Sequence, residues 1–314
     1  MKKKILKFSL KLFVSIAFLA WIIFRVDWTE VFALLQKVQT SYIALYFLLL
    51  VSGMLISTHK WKLLAAFKGI ELPFFQFFKL YLTGTFINNF MPSFVGGDAY
   101  RIYQAGKEGK KYAASASAVV MDRLTGLFGA MLLVLIFSLA NFTVILEQKI
   151  LLFLNVIILA AVSGVMAFFL TRRWLFWRKI ATGPRIRKII PEKFLSFFAE
   201  MAHYSIDRKI LGQAMGWSVL FGVVGLAATN YVLFLALGEK INLLDYLSVI
   251  FLISFVSALP VSINNIGVKE WAYLTFFGFF GVPSAIVITV AILSRLLQML
   301  FSFLAWPMYL QNKR

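Results

Sequence analysis

The sequence contains no cysteine and only two histidines, His59 and His203, which are far apart in the chain. The absence of thiols excludes disulfide bonds and thiolate metal sites. Two isolated histidines do not make a metal centre. We therefore expect no metal ion, no other cofactor and no catalytic residues of a metalloenzyme.

Acidic residues are also scarce: 13 Asp and Glu stand against 32 Lys and Arg, which gives a formal net charge of +19. Such an excess is typical of nucleic-acid-binding proteins. Most of these basic residues, however, lie in short loops between apolar runs, where they determine membrane topology. The chain is 61% hydrophobic with a mean hydropathy of +0.85, which excludes a soluble globular domain. We predict an all-α polytopic membrane protein that does not bind nucleic acid.

The basic residues also predict the path of the chain through a cell membrane. The N-terminal apolar segment follows a run of lysines and lacks a small-residue cleavage site, so we interpret it as an uncleaved first span with a cytoplasmic N-terminus. A second span is expected to end at Thr58, before a basic cytoplasmic loop that contains His59 and Lys60. We predict about seven full spans, two re-entrant broken-helix units and a cytoplasmic C-terminus.

A single integral membrane domain is expected to cover residues 1–314. We divide it into N-terminal spans (1–72), a first repeat (73–170), a basic segment (171–209) and a second repeat (210–314). The basic segment, Thr171–Lys209, has apolar residues at helical spacing, which predicts an amphipathic helix on the cytoplasmic membrane surface. We expect it to contact anionic lipid headgroups as a solvated basic surface rather than as a specific site.

Two stretches interrupt apolar segments with polar and helix-breaking residues: Asn88–Arg101, NNFMPSFVGGDAYR, and Leu259–Glu270, LPVSINNIGVKE. The first enters and leaves on the basic side, as a re-entrant segment does. Non-helical backbone at membrane depth is tolerated only where protein or a water-filled cavity satisfies its polar groups. We assign the re-entrant turns to Pro92, Gly96, Gly97, Pro260 and Gly267.

Each interruption is followed by a span that carries an arginine, Arg123 in MDRLTGLF and Arg295 in LSRLLQML. The features follow in the same order in both units, and an odd number of full spans lies between them. The units therefore point in opposite directions, which predicts an inverted repeat of broken helices, an architecture of transporters. Each arginine lies about eleven residues into its span, roughly 16 Å and close to the membrane midplane.

Seven charged residues lie within or beside these apolar segments, where each costs about 2.5–3.5 kcal/mol at a helix centre. They are Asp98, Arg101, Asp122, Arg123, Lys269, Glu270 and Arg295. In one interpretation they form internal ion pairs, Asp98 or Asp122 with Arg123, and Glu270 with Lys269 or Arg295. In the other, the basic residues bind a ligand in a wet cavity, and the three acids orient or gate them.

For Arg123 and Arg295 the pattern favours ligand binding. Two guanidinium groups that approach from opposite leaflets suit a phosphate, because the planar fork of donors matches its oxygens. The neighbouring asparagines either donate to headgroup oxygens or cap their own helix ends. The predicted headgroup site comprises Arg101, Arg123, Lys269, Arg295, Asn88, Asn89, Asn264 and Asn265.

The paired signatures, PSFVGGDAYR with MDRLTGL and LPVSINNIGVKE with LSRLLQ, resemble the transmembrane flippase-like family of lysylphosphatidylglycerol synthases. The resemblance covers nearly the whole chain and implies the functional roles for Asp98, Arg101, Arg123, Lys269, Glu270 and Arg295. The family's second turn is commonly glycine-rich. Here it reads Asn264, Asn265, Ile266 and Gly267, a departure that would suit a different headgroup.

Bifunctional members of that family join this membrane module to a cytosolic aminoacyl-tRNA-dependent transferase, whose lipid product the module moves outward. Other members are stand-alone, and some are linked to polyprenyl-phosphate glycan pathways. This chain stops at Arg314, just after its last span, so we expect a stand-alone, transporter-like member without a transferase domain. A lysyltransferase name based on similarity would then not describe its activity.

Three functions remain open. The first is a flippase that moves an anionic or phosphate-containing lipid, aminoacyl-phosphatidylglycerol-like or polyprenyl-phosphate-linked, between leaflets. The second is a membrane-embedded lipid-phosphate transferase with Asp98 or Asp122 as base or metal ligand, although no acidic pair has metal-ligand spacing. The third is a partner subunit of a cell-envelope lipid or glycan pathway that docks through Thr171–Lys209. The lipid, the direction of movement and the oligomeric state stay open.

Overall fold

The computed structural model describes residues 2–91, 95–170, 203–204, 207–259 and 261–311. These residues form helices and connecting turns and contain no strand. In these ranges, five helices are long and apolar enough to span a membrane, or six if a bent pair at the N-terminus is one span. The expected all-α polytopic architecture is confirmed. Within the described ranges, the count of full spans lies below the predicted seven or so.

We number the helices of these ranges in chain order. They are α1 (Lys2–Arg25), α2 (Trp28–Gln36), α3 (Thr40–Ala66), α4 (Phe74–Phe90), α5 (Val95–Gly106), α6 (Tyr112–Ala140), α7 (Phe142–Glu147), α8 (Lys149–Leu170), α9 (Arg208–Ala236), α10 (Leu243–Ala258), α11 (Val268–Gly278), α12 (Ser284–Ser302) and α13 (Trp306–Gln311). Helix α9 contains a π-helical stretch, Phe221–Ala228. A 3-10 turn, Ile263–Asn265, lies between α10 and α11.

Polar caps fix where several helices begin. Side-chain oxygens of Asp27, Asp207 and Asn242 each accept a hydrogen bond of 2.8–2.9 Å from a first-turn backbone N–H of α2, α9 and α10. Such bonds satisfy donors that the helix itself leaves unpaired. At Asp27 the cap also marks the bend of 83° between α1 and α2.

Helix α3 is longer than the sequence predicted. It continues past Thr58 to Ala66, so the predicted basic loop at His59 and Lys60 is wrong. Lys60 is only 4% exposed, and its Nζ lies 3.1 Å from Asp122 Oδ1 on α6. Because a carboxylate neutralises this lysine inside the bundle, the helix does not have to end before it.

Helices α4 with α5, and α10 with α11, form the two broken pairs. They have 17, 12, 16 and 11 residues, and each is shorter than the roughly 20 residues that a full crossing needs. Gly96 and Gly97 lie in the first turn of α5 and not in the connecting turn. In α5, a Cβ on Gly97 would clash with the backbone oxygen of Gly84 on α4. The close packing of α4 against α5 therefore depends on the absence of a side chain at Gly97.

The second connecting turn contains the residues with left-handed backbone. Gly267, which directly precedes α11, has φ of 85°, and Asn264 and Asn265 have φ of 47° and 56°. Glycine and asparagine are the residues that adopt this region most readily. The prolines predicted for the two turns, Pro92 and Pro260, lie outside the described residues.

The helices repeat in the same order, α3 to α6 and then α9 to α12. Helices α3 and α9 are antiparallel: Gln39 N donates to Ala236 O at 3.1 Å near one end, and Lys60 Nζ donates to Ser218 Oγ at 3.2 Å towards the other. They cross where a Cβ on Gly53 would lie 2.6 Å from the Cα of a glycine of α9. The first helices of the two units thus run in opposite directions, as an inverted repeat requires, and α3 extends the first unit towards the N-terminus.

Candidate functional site

A cavity of about 520 Å³ is lined by both units. Asp98 and Arg123 line it from the first unit, and Asn264, Asn265 and Lys269 line it from the second. Another part of the wall is apolar and consists of Leu127, Leu226, Ile250 and Ile253. Five of the residues that the sequence singled out therefore meet at one polar site that has an apolar side.

The first ion pair of the cavity joins Asp98 to Arg123. Arg123 Nε donates to Asp98 Oδ2 at 3.0 Å, and Nη2 donates to Oδ1 at 2.9 Å. Asp98 lies in the first turn of α5, where the helix dipole favours a negative charge. The Arg123 side chain is 50% exposed. The carboxylate thus orients the guanidinium and leaves part of it open to the cavity.

Arg101 lies behind this pair, away from the cavity lining. Its side chain is 3% exposed, and it donates to Asp122 Oδ2 at 3.0 Å and to Asp98 Oδ1 at 3.4 Å. Its guanidinium carbon lies 4.1 Å from the ring centroid of Trp61 and 4.6 Å from that of Tyr81. In this arrangement Arg101 positions the two carboxylates, and it is not placed to contact a headgroup.

Lys60 completes the first charged group, and the sequence reasoning missed it. Its Nζ donates to the backbone oxygen of Asp122 at 2.8 Å and lies 3.1 Å from the Asp122 carboxylate. Asp122 is therefore held between two cations, Lys60 and Arg101. The available signal was the apolar run that continues after Lys60, WKLLAAF, which is typical of a helix that has not yet ended.

The second ion pair joins Glu270 to Arg295. Arg295 Nε and Nη2 donate to Glu270 Oε1 at 3.1 Å and 2.8 Å, while Glu270 Oε2 accepts from Gly267 N at 2.8 Å. Arg295 also donates to the backbone oxygen of Asn264 at 3.3 Å and to that of Asn265 at 3.5 Å. The donors of Arg295 therefore hold the turn before α11 against α12.

The two pairs occupy equivalent positions. In each, the acid lies in the first turn of the second short helix, and the arginine follows 25 residues later on the next long helix. Of the pairings that the sequence left open, Asp98 pairs with Arg123 and Glu270 pairs with Arg295. All three acids therefore form ion pairs, as the first interpretation predicted. The guanidinium of Arg123 nevertheless stays accessible from the cavity.

Lys269 is the second cation of the cavity. Its Nζ donates to Ser294 Oγ at 2.9 Å and lies 5.6 Å from the ring centroid of Tyr273. Tyr273 in turn donates to Asn230 Oδ1 at 2.9 Å. Within the described ranges, no carboxylate forms an ion pair with Lys269. The ammonium group thus contacts a hydroxyl and an aromatic face and has no carboxylate at ion-pair distance in these ranges.

The four predicted asparagines divide between the two units. Asn88 Oδ1 accepts from Gly97 N at 2.8 Å and so caps α5, while Asn89 Nδ2 donates to Ser302 Oγ at 2.5 Å and connects α4 to α12. Asn264 and Asn265 line the cavity. Asn88 therefore caps the other helix of its broken pair and not the end of its own helix, which differs from the predicted capping. The prediction for Thr171–Lys209 lies mostly outside the described residues.

Comparison with known proteins agrees with this architecture. Residues 8–305 match the model of the family described as the lysylphosphatidylglycerol synthase TM region. The chain is 25% identical to UPF0104 membrane protein MJ1595 of Methanocaldococcus jannaschii over 94% of this chain and 92% of that protein. It is 22% identical to a UPF0104 membrane protein of Methanothermobacter thermautotrophicus over 93% and 91% of the two chains.

A third relative is UPF0104 membrane protein PH1989 of Pyrococcus horikoshii, with 23% identity over 84% of each chain. No solved structure matches the chain. The family model spans nearly all of the sequence, so the resemblance seen in the two signatures is confirmed. The chain therefore belongs to the family of the lysylphosphatidylglycerol synthase transmembrane region.

Proposed function

We propose that this protein moves lipids with an anionic, phosphate-bearing headgroup between the two leaflets of the cell membrane. The observation that carries the proposal is the cavity that the two opposed units line with Arg123 and Lys269. A charged side chain at membrane depth is costly and marks a pathway for a substrate or ion. Broken helices of an inverted repeat are the place where transporters bind substrate.

The chemistry of Arg123 suits a phosphate oxygen. Asp98 accepts from Nε and Nη2, and within the described residues Nη1 makes no hydrogen bond. The guanidinium is thus oriented by its partner and retains a free donor. Hydrogen bonds from arginine to phosphate are charge-assisted and stronger than neutral ones. Lys269 adds a second charged donor in the same cavity.

Exposed apolar side chains at the two breaks suit the tails of a lipid. Phe90 and Met91 at the first break, and Leu259 and Val261 at the second, are large apolar residues with exposed surface. A headgroup can enter the polar cavity while its acyl chains stay in contact with such residues and with the bilayer. This division favours a lipid over a small soluble anion.

The family and the distribution of charge support the same proposal. The family's description names a phosphate-containing lipid, lysylphosphatidylglycerol. We infer a transporter rather than an enzyme, with both termini in the cytoplasm because of the positive-inside rule. We also propose that the basic segment, Thr171–Lys209, lies on anionic headgroups.

The proposal is tested with purified protein in liposomes that contain a tail-labelled fluorescent phosphatidylglycerol, phosphatidic acid or polyprenyl phosphate. Arg123→Gln removes the open guanidinium, and loss of one charged partner predicts a rate at least about tenfold lower. Lys79→Gln is the matched control, because Lys79 lies over the Phe75 ring, outside the cavity. Wild-type rates in folded Arg123→Gln protein would contradict the proposal.

A further inference from the structure

The charges of the first unit do not balance. Ion pairs connect Lys60, Arg101 and Arg123 with the carboxylates of Asp98 and Asp122. Three cations thus share two acids, which leaves one positive charge in excess. Lys60 and Arg101 are almost completely buried, so bulk water does not compensate them.

The second unit has the same imbalance. Lys269 and Arg295 are accompanied by one carboxylate, that of Glu270, which is bound to Arg295 and to the backbone of Gly267. Among the described residues, no acid forms an ion pair with Lys269. Together, the two charged groups therefore carry an excess of two positive charges.

The excess lies where a ligand can reach it. Of the five cations, Arg123 and Lys269 are the ones that line the cavity within the described part of the chain. Arg295 donates to Glu270 and to two backbone oxygens of its own unit. An uncompensated cation in a low-dielectric site is unfavourable unless a counter-charge binds. The cavity is therefore complementary to a headgroup with two negative charges.

We infer that the preferred substrate is a lipid with a dianionic headgroup, such as a terminal phosphomonoester. This inference rests on the proposed function and narrows its substrate class. A phosphomonoester carries about −1.5 to −2 charges at neutral pH, whereas the phosphodiester of phosphatidylglycerol carries one. A lysylated phosphodiester is a net cation, which the excess positive charge disfavours.

Two hydroxyls at the cavity are available as further donors for the oxygens of such a group. Ser257 and Ser262 line the cavity, and their Oγ atoms are buried without a hydrogen-bond partner in the described residues. A buried polar atom without a partner is uncommon in a folded protein. Both hydroxyls can donate to phosphate oxygens that the two cations attract.

The test compares three tail-labelled lipids with identical acyl chains in liposomes at pH 7: phosphatidic acid, phosphatidylglycerol and lysylphosphatidylglycerol. Protein-free liposomes supply the passive rate. We expect the full-length protein to move phosphatidic acid about tenfold faster than phosphatidylglycerol, the difference that one additional ion pair can give. Lysylphosphatidylglycerol is expected to move slowest.

Variants identify the side chain that gives the preference for a dianionic headgroup. In Lys269→Gln, the rate for phosphatidic acid is expected to fall more steeply than the rate for phosphatidylglycerol, so that the roughly tenfold ratio of the two rates shrinks towards one. Lys79→Gln and the charge-retaining Lys269→Arg are expected to keep the preference. The wild-type ratio alone is decisive if Lys269→Gln does not fold.

The outcomes separate this inference from the proposed function. If phosphatidylglycerol moves as fast as phosphatidic acid and Arg123→Gln stops both, the flippase stands and the dianion preference is wrong. Fastest movement of lysylphosphatidylglycerol also overturns the preference alone. If the protein accelerates none of the three lipids and does not accelerate polyprenyl phosphate either, both proposals fall.

Discussion

At the scale of single residues, each broken pair is fastened to the next long helix by a carboxylate and an arginine. Asp98 and Glu270 each begin a short helix, where the dipole favours their charge. Their arginines differ in use. Arg295 donates to its own turn as well as to the acid, whereas Arg123 donates to Asp98 and faces the cavity. Of these two equivalent arginines, Arg295 thus has a structural role, whereas the guanidinium of Arg123 is accessible to a ligand.

Lys60→Met is expected to destabilise the protein by roughly 2–3 kcal/mol. It removes an ion pair and a hydrogen bond to Asp122, and a buried charge that loses all partners costs roughly 3–5 kcal/mol. The cost is lower here because Arg101 still pairs with Asp122. Thermal unfolding in detergent measures the change. The control is Lys62→Met, because Lys62 lies two residues later and is only partly buried. Equal melting temperatures for the two variants would show that the ion pair of Lys60 adds no stability.

At the scale of helices, glycines determine how closely the elements pack. Helices α3 and α9 touch at Gly53 and Gly225, and small residues at such crossings allow close packing in lipid. Near this contact α9 is π-helical, and π-bulges are frequent at functional sites. The contact joins the first helices of the two units, so it determines how closely the units pack there.

Gly53→Val is expected to separate α3 from α9 and to cost about 1–3 kcal/mol, because its Cβ would meet the Cα of Gly225 at 2.6 Å. Gly216→Val on α9 makes the same chemical change where no atom lies within 4 Å of the new Cβ. We expect the melting temperature of the Gly216 variant to stay near that of the wild type. A Gly53 variant as stable as the Gly216 variant would argue against a close helix contact.

The sequence predicted the breaks, the repeated order of features and, as one of two interpretations, internal ion pairs whose partners stayed open. The sequence could also have shown which acid pairs with Arg123, because neighbouring residues of a helix point in different directions. Asp122 therefore cannot face Arg123 in the way that Asp98 does. The role of Asn88 was not predictable in the same way, since it depends on how α4 and α5 fold together. Lys60 was missed because its partners lie on helices distant in sequence.

At the scale of the whole molecule, the two units enclose one cavity from opposite directions. Helix α9 is antiparallel to α3 and parallel to α6, whose Gly129 and Leu133 lie near Ser218 and Gly222 of α9 in the same order. The start of α6 and the end of α9 are therefore at opposite faces of the protein. Rearrangement of one unit against the other about the α3–α9 contact would expose the cavity to each side alternately, as alternating access requires.

Cysteine labelling in cells tests this orientation directly. The natural chain has no cysteine, so an introduced thiol is the one that reacts. Lys107→Cys precedes α6 and Lys240→Cys follows α9, both at exposed lysines. Cytoplasmic loops are enriched in Lys and Arg. We therefore expect a membrane-impermeant maleimide to label the Lys240→Cys variant in intact cells. The Lys107→Cys variant is expected to react only after the cells are permeabilised. The reverse pattern would invert the topology, and labelling of both from outside would rule out opposite faces and with them the inverted repeat.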